Sequence, residues 1–404
     1  MTTTTQTTPQ DAAKIVPVQT RSDRPKSFEP ADFATPTSRQ VDFKYSPVDK
    51  LAPLFVDEPG EDTVEYEIDA PEGVLRAPLA PGEAPRGTAL VPEDLPSAIA
   101  SKHCAQALHL VIPKETELDA PIRVRITGES AEHRDLAHIV IRAERHSSAT
   151  VILEHTGSAT YAQNVEILLD DESSLKVIAL HEWEDDTVHN GTHVARVGRD
   201  ASLEHTLITF GGAVVRVNPT VHLEGNGAEG EARGLYFADS GQHFEHNVFV
   251  HHDGERTRTD VNYKGALQGD GARTVWVGDV LIGPGAVGTD SYEQNRNLIL
   301  SGGARADSVP NLEIECGEIE GAGHASATGR FDEEQLFYLM ARGLDERQAR
   351  RLVVHGFLNE IVQKIGDEQL VERVNATLEE ELERADDAIA ALAAREAGDQ
   401  GAAR

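Results

Sequence analysis

Cysteine is nearly absent from this sequence: 404 residues contain two, Cys104 and Cys316. Two cysteines exclude a disulfide framework, and no CxxC pair exists for zinc or for a redox couple. They also fall short of the four thiolates that usually hold an iron–sulfur cluster. Lysine is scarce, nine residues against 28 arginines, and the net charge is -32. Nucleic-acid binding relies on basic clusters that release counterions, and none is present, so that class is excluded. No GxxxxGK[ST] segment occurs, so the chain has no Walker-type phosphate cradle. No run approaches the ~18 apolar residues of a spanning helix. The N-terminal MTTTTQTTPQDAAK lacks the apolar centre of a signal peptide, so the expected location is cytoplasmic, away from membranes. The acidic excess with few lysines points to a halophilic, high-salt cytoplasm, where screening relieves self-repulsion.

What is present is mainly β. Residues 1 to about 40 are rich in Thr, Pro and charge and are expected to be partly disordered. Val41 to Leu51 carry the first mixed apolar signal, and residues 57–97 read as loop and linker. A helix is expected within Glu93–Leu108. From Ala107 to about Ile314, apolar and polar residues alternate in short Val- and Ile-rich runs, which predicts strands. Small-residue corners recur at Ser148, Ser174, Ser202, Ala228 and Gly254, at intervals of 26, 28, 26 and 26. Later corners at Ala272, Ala286 and Ala304 come closer, at 14 and 18. Such spacing fits a solenoid of stacked rungs and equally a β-sandwich with regular turns. After Arg330 the period becomes helical. One helix carries Leu336, Phe337, Leu339 and Met340, with Asp332 as its cap. A second, opened by Asp345, carries Ala349, Leu352, Val353, Gly356, Phe357 and Ile361. A third runs from Glu368 to about Arg395. The expected division is 1–106 irregular and helical, 107–329 β, and 330–404 helical.

Histidine is the conspicuous polar residue, with 17 copies. His181, Glu182, Glu184, Asp185, Asp186, His189 and His193 crowd one segment, as a metal site or a solvated acidic edge would. His243, His246, His251 and His252 form a second group, which strand alternation splits between two faces. A third candidate is His324, in a stretch of Gly, Ala and Ser that reads as a turn.

The segment 289–300, TDSYEQNRNLIL, is followed by Ala304-Arg305-Ala306-Asp307, Pro310, Leu312-Glu313-Ile314, and Asp332-Glu333-Glu334 with Leu336-Phe337-Tyr338-Leu339. This succession resembles the SufB/SufD family of iron–sulfur cluster assembly scaffold proteins, whose pattern reads TDxYQQNRNLLL, ARxDxxPxLEI and LDEExLFYL. The resemblance extends upstream through Gly211-Gly212 and Arg216, then Gln242-His243-Phe244-Glu245-His246, His251 and Tyr263-Lys264-Gly265. It covers about residues 107–365 and implies a right-handed parallel β-helix core. Counted from Gly329, His324 falls on the family's histidine. The cysteine expected two residues earlier is Ala322, which cannot act as nucleophile or thiolate ligand. Cys316 lies six residues early, in the strand-like LEIEC, where a buried apolar role is expected.

The resemblance therefore implies a SufD-like, non-catalytic subunit. It would pair with a SufB-like subunit through the β-helix and dock a SufC-like ABC ATPase through the C-terminal helices, with Leu352, Phe357 and Ile361 as the candidate dock or as plain core. His324 would help hold a transient iron–sulfur cluster shared between subunits, and no cofactor is expected to stay tightly bound to the isolated chain. A homodimer stays open. The alternatives are a β-helix enzyme acting on polysaccharides and a metal-binding β protein. For the first, paired acids, aromatics for stacking and a signal peptide are all wanting.

Overall fold

A computed structural model describes residues 21, 24–330 and 333–384. Of the first 40 residues, expected to be partly disordered, 1–20, 22 and 23 lie outside them, as do the Asp332 cap and the end of the third helix, while in 24–40 Pro30 is buried and Phe33 packs on the N-terminal cluster. The strands are β1 (Glu65–Asp69), β2 (Leu75–Leu79), β3 (Ala107–Ile112), β4 (Ile122–Ala143), β5 (Ser148–Leu169), β6 (Ser174–Trp183), β7 (Val188–Val197), β8 (Ser202–Thr209), β9 (Val214–Leu223) and β10 (Glu229–Ala238). They continue with β11 (His243–His252), β12 (Arg258–Leu267), β13 (Arg273–Ile282), β14 (Asp290–Ile299), β15 (Arg305–Ile314) and β16 (Gly321–Arg330). The helices are α1 (Val48–Leu51), α2 (Leu95–His103), α3 (Glu333–Met340) and α4 (Glu346–Val362), and α5 covers 368–384.

From β6 onward each strand pairs in parallel with the strand two places on, giving the order β15-β13-β11-β9-β7-β5-β6-β8-β10-β12-β14-β16. The chain thus winds as a parallel β-solenoid of about 8 turns. Even strands form one wall and odd strands the other. The long strand β5 runs through both, pairing with β6 by Ser148–Gly157 and with β7 by Thr160–Leu169.

The corner spacing has a simple cause. Ser148, Ser174 and Ser202 stand opposite one another in register, so an interval of 26 or 28 residues is one full turn of two strands. Ala272 and Ala304 immediately precede β13 and β15 on the odd wall, and Ala286 lies in the turn four residues before β14 begins on the even wall. They mark successive half-turns, hence the halved interval.

Alternation sends every second side chain inward, and the interior is a continuous apolar column from Leu110 and Ile122 to Trp276 and Ile282. Large rings fit where the neighbouring rung has no side chain. Gly234 lies opposite Tyr263, and Tyr236 opposite Gly265. A Cβ on Gly234 would come within 2.0 Å of Tyr263 Cδ1, and one on Gly265 within 1.8 Å of Tyr236 Cε2.

Both outer faces are covered. On the odd wall, Phe43, Leu51, Leu54, Leu95 and Ile99 pack against Leu136, Ala162 and Val214. Asp94 caps α2 by accepting from the Ser97 N–H at 3.0 Å. Arg216, 2 % exposed, pins this segment. Its guanidinium donates to Glu245 Oε1 (3.1 Å), Asp94 Oδ2 (3.1 Å) and Asn190 Oδ1 (2.9 Å), and stacks 4.5 Å over the Phe43 ring. On the even wall, Val354, Leu358, Ile361, Val362, Leu370, Val374 and Leu378 seal Ile178, Leu180, Ile208, Phe210, Leu235 and Phe237.

Two expectations are corrected. Residues 57–97 are not all linker: β1 adds antiparallel to β4 and β2 antiparallel to β3. Their sequences, EYEID and LRAPL, are largely exposed, so no apolar period announced them. The inward face of α4 is also rotated from the expected one. Ala349, Val354, Leu358, Ile361 and Val362 are buried, while Leu352 is 55 % exposed.

Candidate functional site at the open end of the solenoid

His324 does not sit in a turn. It lies inside β16, whose small residues had hidden an extended strand. In register, Ala322 faces Ser291 and His324 faces Glu293. Ser291, Glu293, Asn295 and Asn297 are the buried members of β14, so Ala322, His324, Ser326 and Thr328 continue the interior-facing row. Among the described residues β16 pairs only with β14 and β15 only with β13, so both walls end in strands with unpaired backbone edges. The His324 side chain is 44 % exposed there.

Its nearest acidic neighbour is Glu293, with His324 Nδ1 3.7 Å from Glu293 Oε1. Glu293 is buried, and neither carboxyl oxygen has a hydrogen-bond partner. Burial and the nearby Asp279 carboxylate push this carboxyl up to about 8. At neutral pH it therefore carries its proton, and the contact with His324 is not a charge pair. The family pattern has Gln at this position, so a neutral, proton-bearing side chain suits it. The imidazole can use its outward nitrogen as a ligand, and Ala322 beside it supplies none. Cys316, 6 % exposed, packs into the interior column.

The three candidate docking residues do not share one surface. Ile361 is sealed under α4 against the solenoid, Phe357 is half-buried over Lys264 (5.1 Å), and Leu352 points outward. The exposed apolar residues of this region lie largely on α3, whose Phe337, Tyr338 and Met340 are 73, 55 and 43 % exposed. The helix period suggested an inward face for α3, but the solenoid offers it none.

The histidine groups sort by parity. His181, His189 and His193 point inward and are buried, whereas Glu182 faces α5, where it accepts from Thr377 Oγ1 at 2.7 Å. His246 and His252 also point inward and are buried. His246 Nε2 lies 3.2 Å from Thr209 Oγ1, and His252 lies within 3.0 Å of the Thr257 and Thr259 hydroxyls. His251 points outward, 3.2 Å from Asp253. The one sequence signal at Glu293 is its departure from Gln in TDSYEQNRNLIL. No helix among the described residues is long and apolar enough to cross a membrane.

Known proteins resemble this chain across the whole solenoid. A family model described as "SUF system FeS cluster assembly, SufBD core domain" matches residues 125–357, more than half the chain. Iron–sulfur cluster assembly SufBD family proteins of Mycobacterium bovis and Mycobacterium leprae are 45% and 43% identical over 365 and 363 residues. Each alignment covers 88% of this chain, and 92% and 93% of the respective relative. The iron–sulfur cluster assembly protein SufD of Bacillus subtilis is 27% identical over 276 residues, 67% of this chain and 63% of its own. With a core-domain match over most of the solenoid and near full-length relatives, the chain belongs to the SufBD family of iron–sulfur cluster assembly proteins.

Proposed function

We propose that this chain is a SufD-like, non-catalytic scaffold subunit on which a nascent iron–sulfur cluster, the cargo of the system, is held at a shared interface. The observation that carries this reading is His324, half-exposed on the terminal strand β16, with an alanine where the family has cysteine. A subunit with an imidazole but no thiolate at that place contributes one ligand and needs a thiolate-bearing partner for the rest. The unpaired edges of β15 and β16 suit a SufB-like subunit that extends the two walls by strand addition. Phe337, Tyr338 and Met340 of α3, with Leu352 of α4, present the apolar surface for a SufC-like ATPase. Since α4 is sealed to the even wall, movement of that ATPase would reach the solenoid through α4 and α5. A homodimer through the same β15 and β16 edges is the competing assembly. The acidic surface fits work in a cytoplasm rich in salt.

The test is co-expression of the tagged chain with SufB-like and SufC-like partners and recovery in multimolar KCl. A three-protein complex of fixed stoichiometry is expected, and a folded chain recovered alone overturns the partner assignment. In the recovered complex, His324→Ala should lower cluster reconstitution, read from the visible absorption of the cluster, at least ~10-fold, while circular dichroism stays unchanged. Unaltered reconstitution removes His324 as a ligand.

A further inference from the structure

We propose that His155, His181 and His189 form a second, internal site, one that binds a late first-row transition-metal ion inside the solenoid. His155 on β5 and His181 on β6 are in-register neighbours on the even wall. His189 on β7 reaches them from the odd wall. One nitrogen of each lies within 4.8 Å of the other two. A tetrahedral ion with metal–nitrogen bonds of about 2.0–2.1 Å requires nitrogens about 3.4 Å apart, so ring rotations that close ~1.4 Å complete the set. The site lies five strand spacings from His324 along the even wall, about 24 Å at ~4.8 Å per strand, so it is separate from the open end.

The unsatisfied nitrogens point to a ligand. His181 is fully buried, and neither of its nitrogens has a partner. His189 Nε2, equally buried, has none. A histidine kept only for packing would give way to Leu or Phe, because a buried, unpaired polar atom is destabilising. His155 Nδ1 lies 3.1 Å from the Leu180 carbonyl and must donate to it, which leaves Nε2 as a lone pair. That lone pair faces Gln163 Oε1 at 3.0 Å, a meeting of two acceptors that a cation or a turned-over amide relieves. An imidazole oriented by a backbone carbonyl through its other nitrogen is the usual support for a metal-binding histidine. Burial keeps all three rings neutral at neutral pH, the protonation state a ligand needs. Three imidazoles suit zinc, copper, iron or nickel rather than magnesium or calcium.

The geometry supplies its own reporter. The Trp183 indole N–H donates to His189 Nδ1 at 3.0 Å. A neutral imidazole that gives one nitrogen to a metal carries its proton on the other. Whichever nitrogen of His189 binds the ion, Nδ1 can then no longer accept from Trp183. Metal binding must break this hydrogen bond, and Trp183 is one of two tryptophans in the chain.

The experiment uses the full chain carrying Trp276→Phe, so that fluorescence reports Trp183 alone. The protein is refolded with Co2+ or Zn2+, and the bound metal is measured by mass spectrometry after gel filtration. The expected result is one ion per chain, the visible absorption of tetrahedral Co2+, and a changed Trp183 emission that EDTA with a mild denaturant reverses. His181→Phe should weaken uptake by at least ~100-fold, the upper end of what loss of a mere supporting partner costs. If that variant does not fold, His189→Gln replaces it, and the Trp183 signal of the parent still decides. Absence of stoichiometric Co2+ and Zn2+, uptake with unchanged Trp183 emission, or full uptake by the His181 variant each overturns the site. The last outcome would move the ion to the surface group His222, His251 and Asp253.

Discussion

Replacing Arg216 by Met tests how the N-terminal segment is fastened to the odd wall. Methionine keeps much of the apolar stem over Phe43 but removes the guanidinium that Glu245 and Asp94 share. Glu245, 2 % exposed, would then hold a buried charge with only neutral donors, Ser46 Oγ at 2.7 Å and Asn247 Nδ2 at 2.8 Å, beside His243 at 3.3 Å. Removing one partner of a buried pair costs about 3–5 kcal/mol. The carboxyl's own shift sets the scale of the stabilisation that Arg216 shares with His243 and Asn247. Burial raises the Glu245 carboxyl, but the His243 hydrogen bond and the Arg216 charge outweigh it and hold the group at about 2, against an ordinary 4.5. That difference of about 2.5 pH units corresponds to ~3.4 kcal/mol. Because the folded value is depressed, this stability is present above pH 4.5 and is lost as pH falls toward 2. Urea unfolding at pH 7 should show Arg216→Met less stable by ~3–5 kcal/mol with an unchanged m-value. The difference should shrink toward pH 4.5, since the unpaired Glu245 of the variant can take up a proton. Arg216→Met combined with Glu245→Leu should recover part of the loss. A loss below ~1 kcal/mol at pH 7, or one that does not shrink on acidification, would refute the reasoning.

Two further outcomes separate interior from surface. Burial holds His205 near 4 and His246 and His252 near 3. The unfolded chain therefore binds protons that these rings refuse, and each withdraws about 1.3 kcal/mol of stability between pH 7.5 and 5.5. Glu293 and Glu381, raised by burial to about 8 and 7, act in the opposite sense over the same range. The clean readout is thus a comparison: between pH 7.5 and 5.5 the unfolding free energy of His246→Gln should decline by about 1.3 kcal/mol less than that of wild type. Leu358→Ala, at a fully buried contact between α4 and the even wall, should cost about 2–5 kcal/mol. Phe337→Ser, on an exposed position, should stay within about 0.5 kcal/mol, and thermal melts of the two variants check the contrast.

The solenoid was legible because its signals are local and repeated. Alternation marked the strands, and Ser148, Ser174 and Ser202 marked the turns at the true period. Alternation also held the fate of the histidines: residues 181, 189 and 193 share one parity and share the interior. The flanking Glu182, Glu184, Asp185 and Asp186 made the whole segment read as one cluster, because proximity in sequence says nothing about the side of a strand. β16 was hidden for a different reason. GAGHASATGR has no apolar alternation to display, since an edge strand at an open end has little to bury. Its extended form comes from pairing with β14, a contact 31 residues away in sequence. The rotated face of α4 was equally unreadable, because Leu352 and Val354 fit a helical stripe equally well and only the shape of the even wall chooses between them.

The two ends of the solenoid differ in a way that limits how chains can assemble. At the first end the outer strands are β1 and β2, each of five residues with one antiparallel partner, and their acidic EYEID and proline-bearing LRAPL blunt further pairing. At the other, β15 and β16 have partners on one side only among the described residues. Stacked-rung proteins need a cap wherever the stack would otherwise offer its edge to a neighbour. On the function proposed above, a second chain covers this uncapped end. Head-to-tail growth into a filament would need two complementary pairing-competent ends, and one such end opposite a blunted one instead allows a closed, face-to-face pairing. Sedimentation of the isolated chain at rising concentration should accordingly stop at two copies, and a SufB-like partner should compete with that self-pairing. A ladder of larger species would show that the β1 and β2 end also accepts strands, and the capping argument would fail.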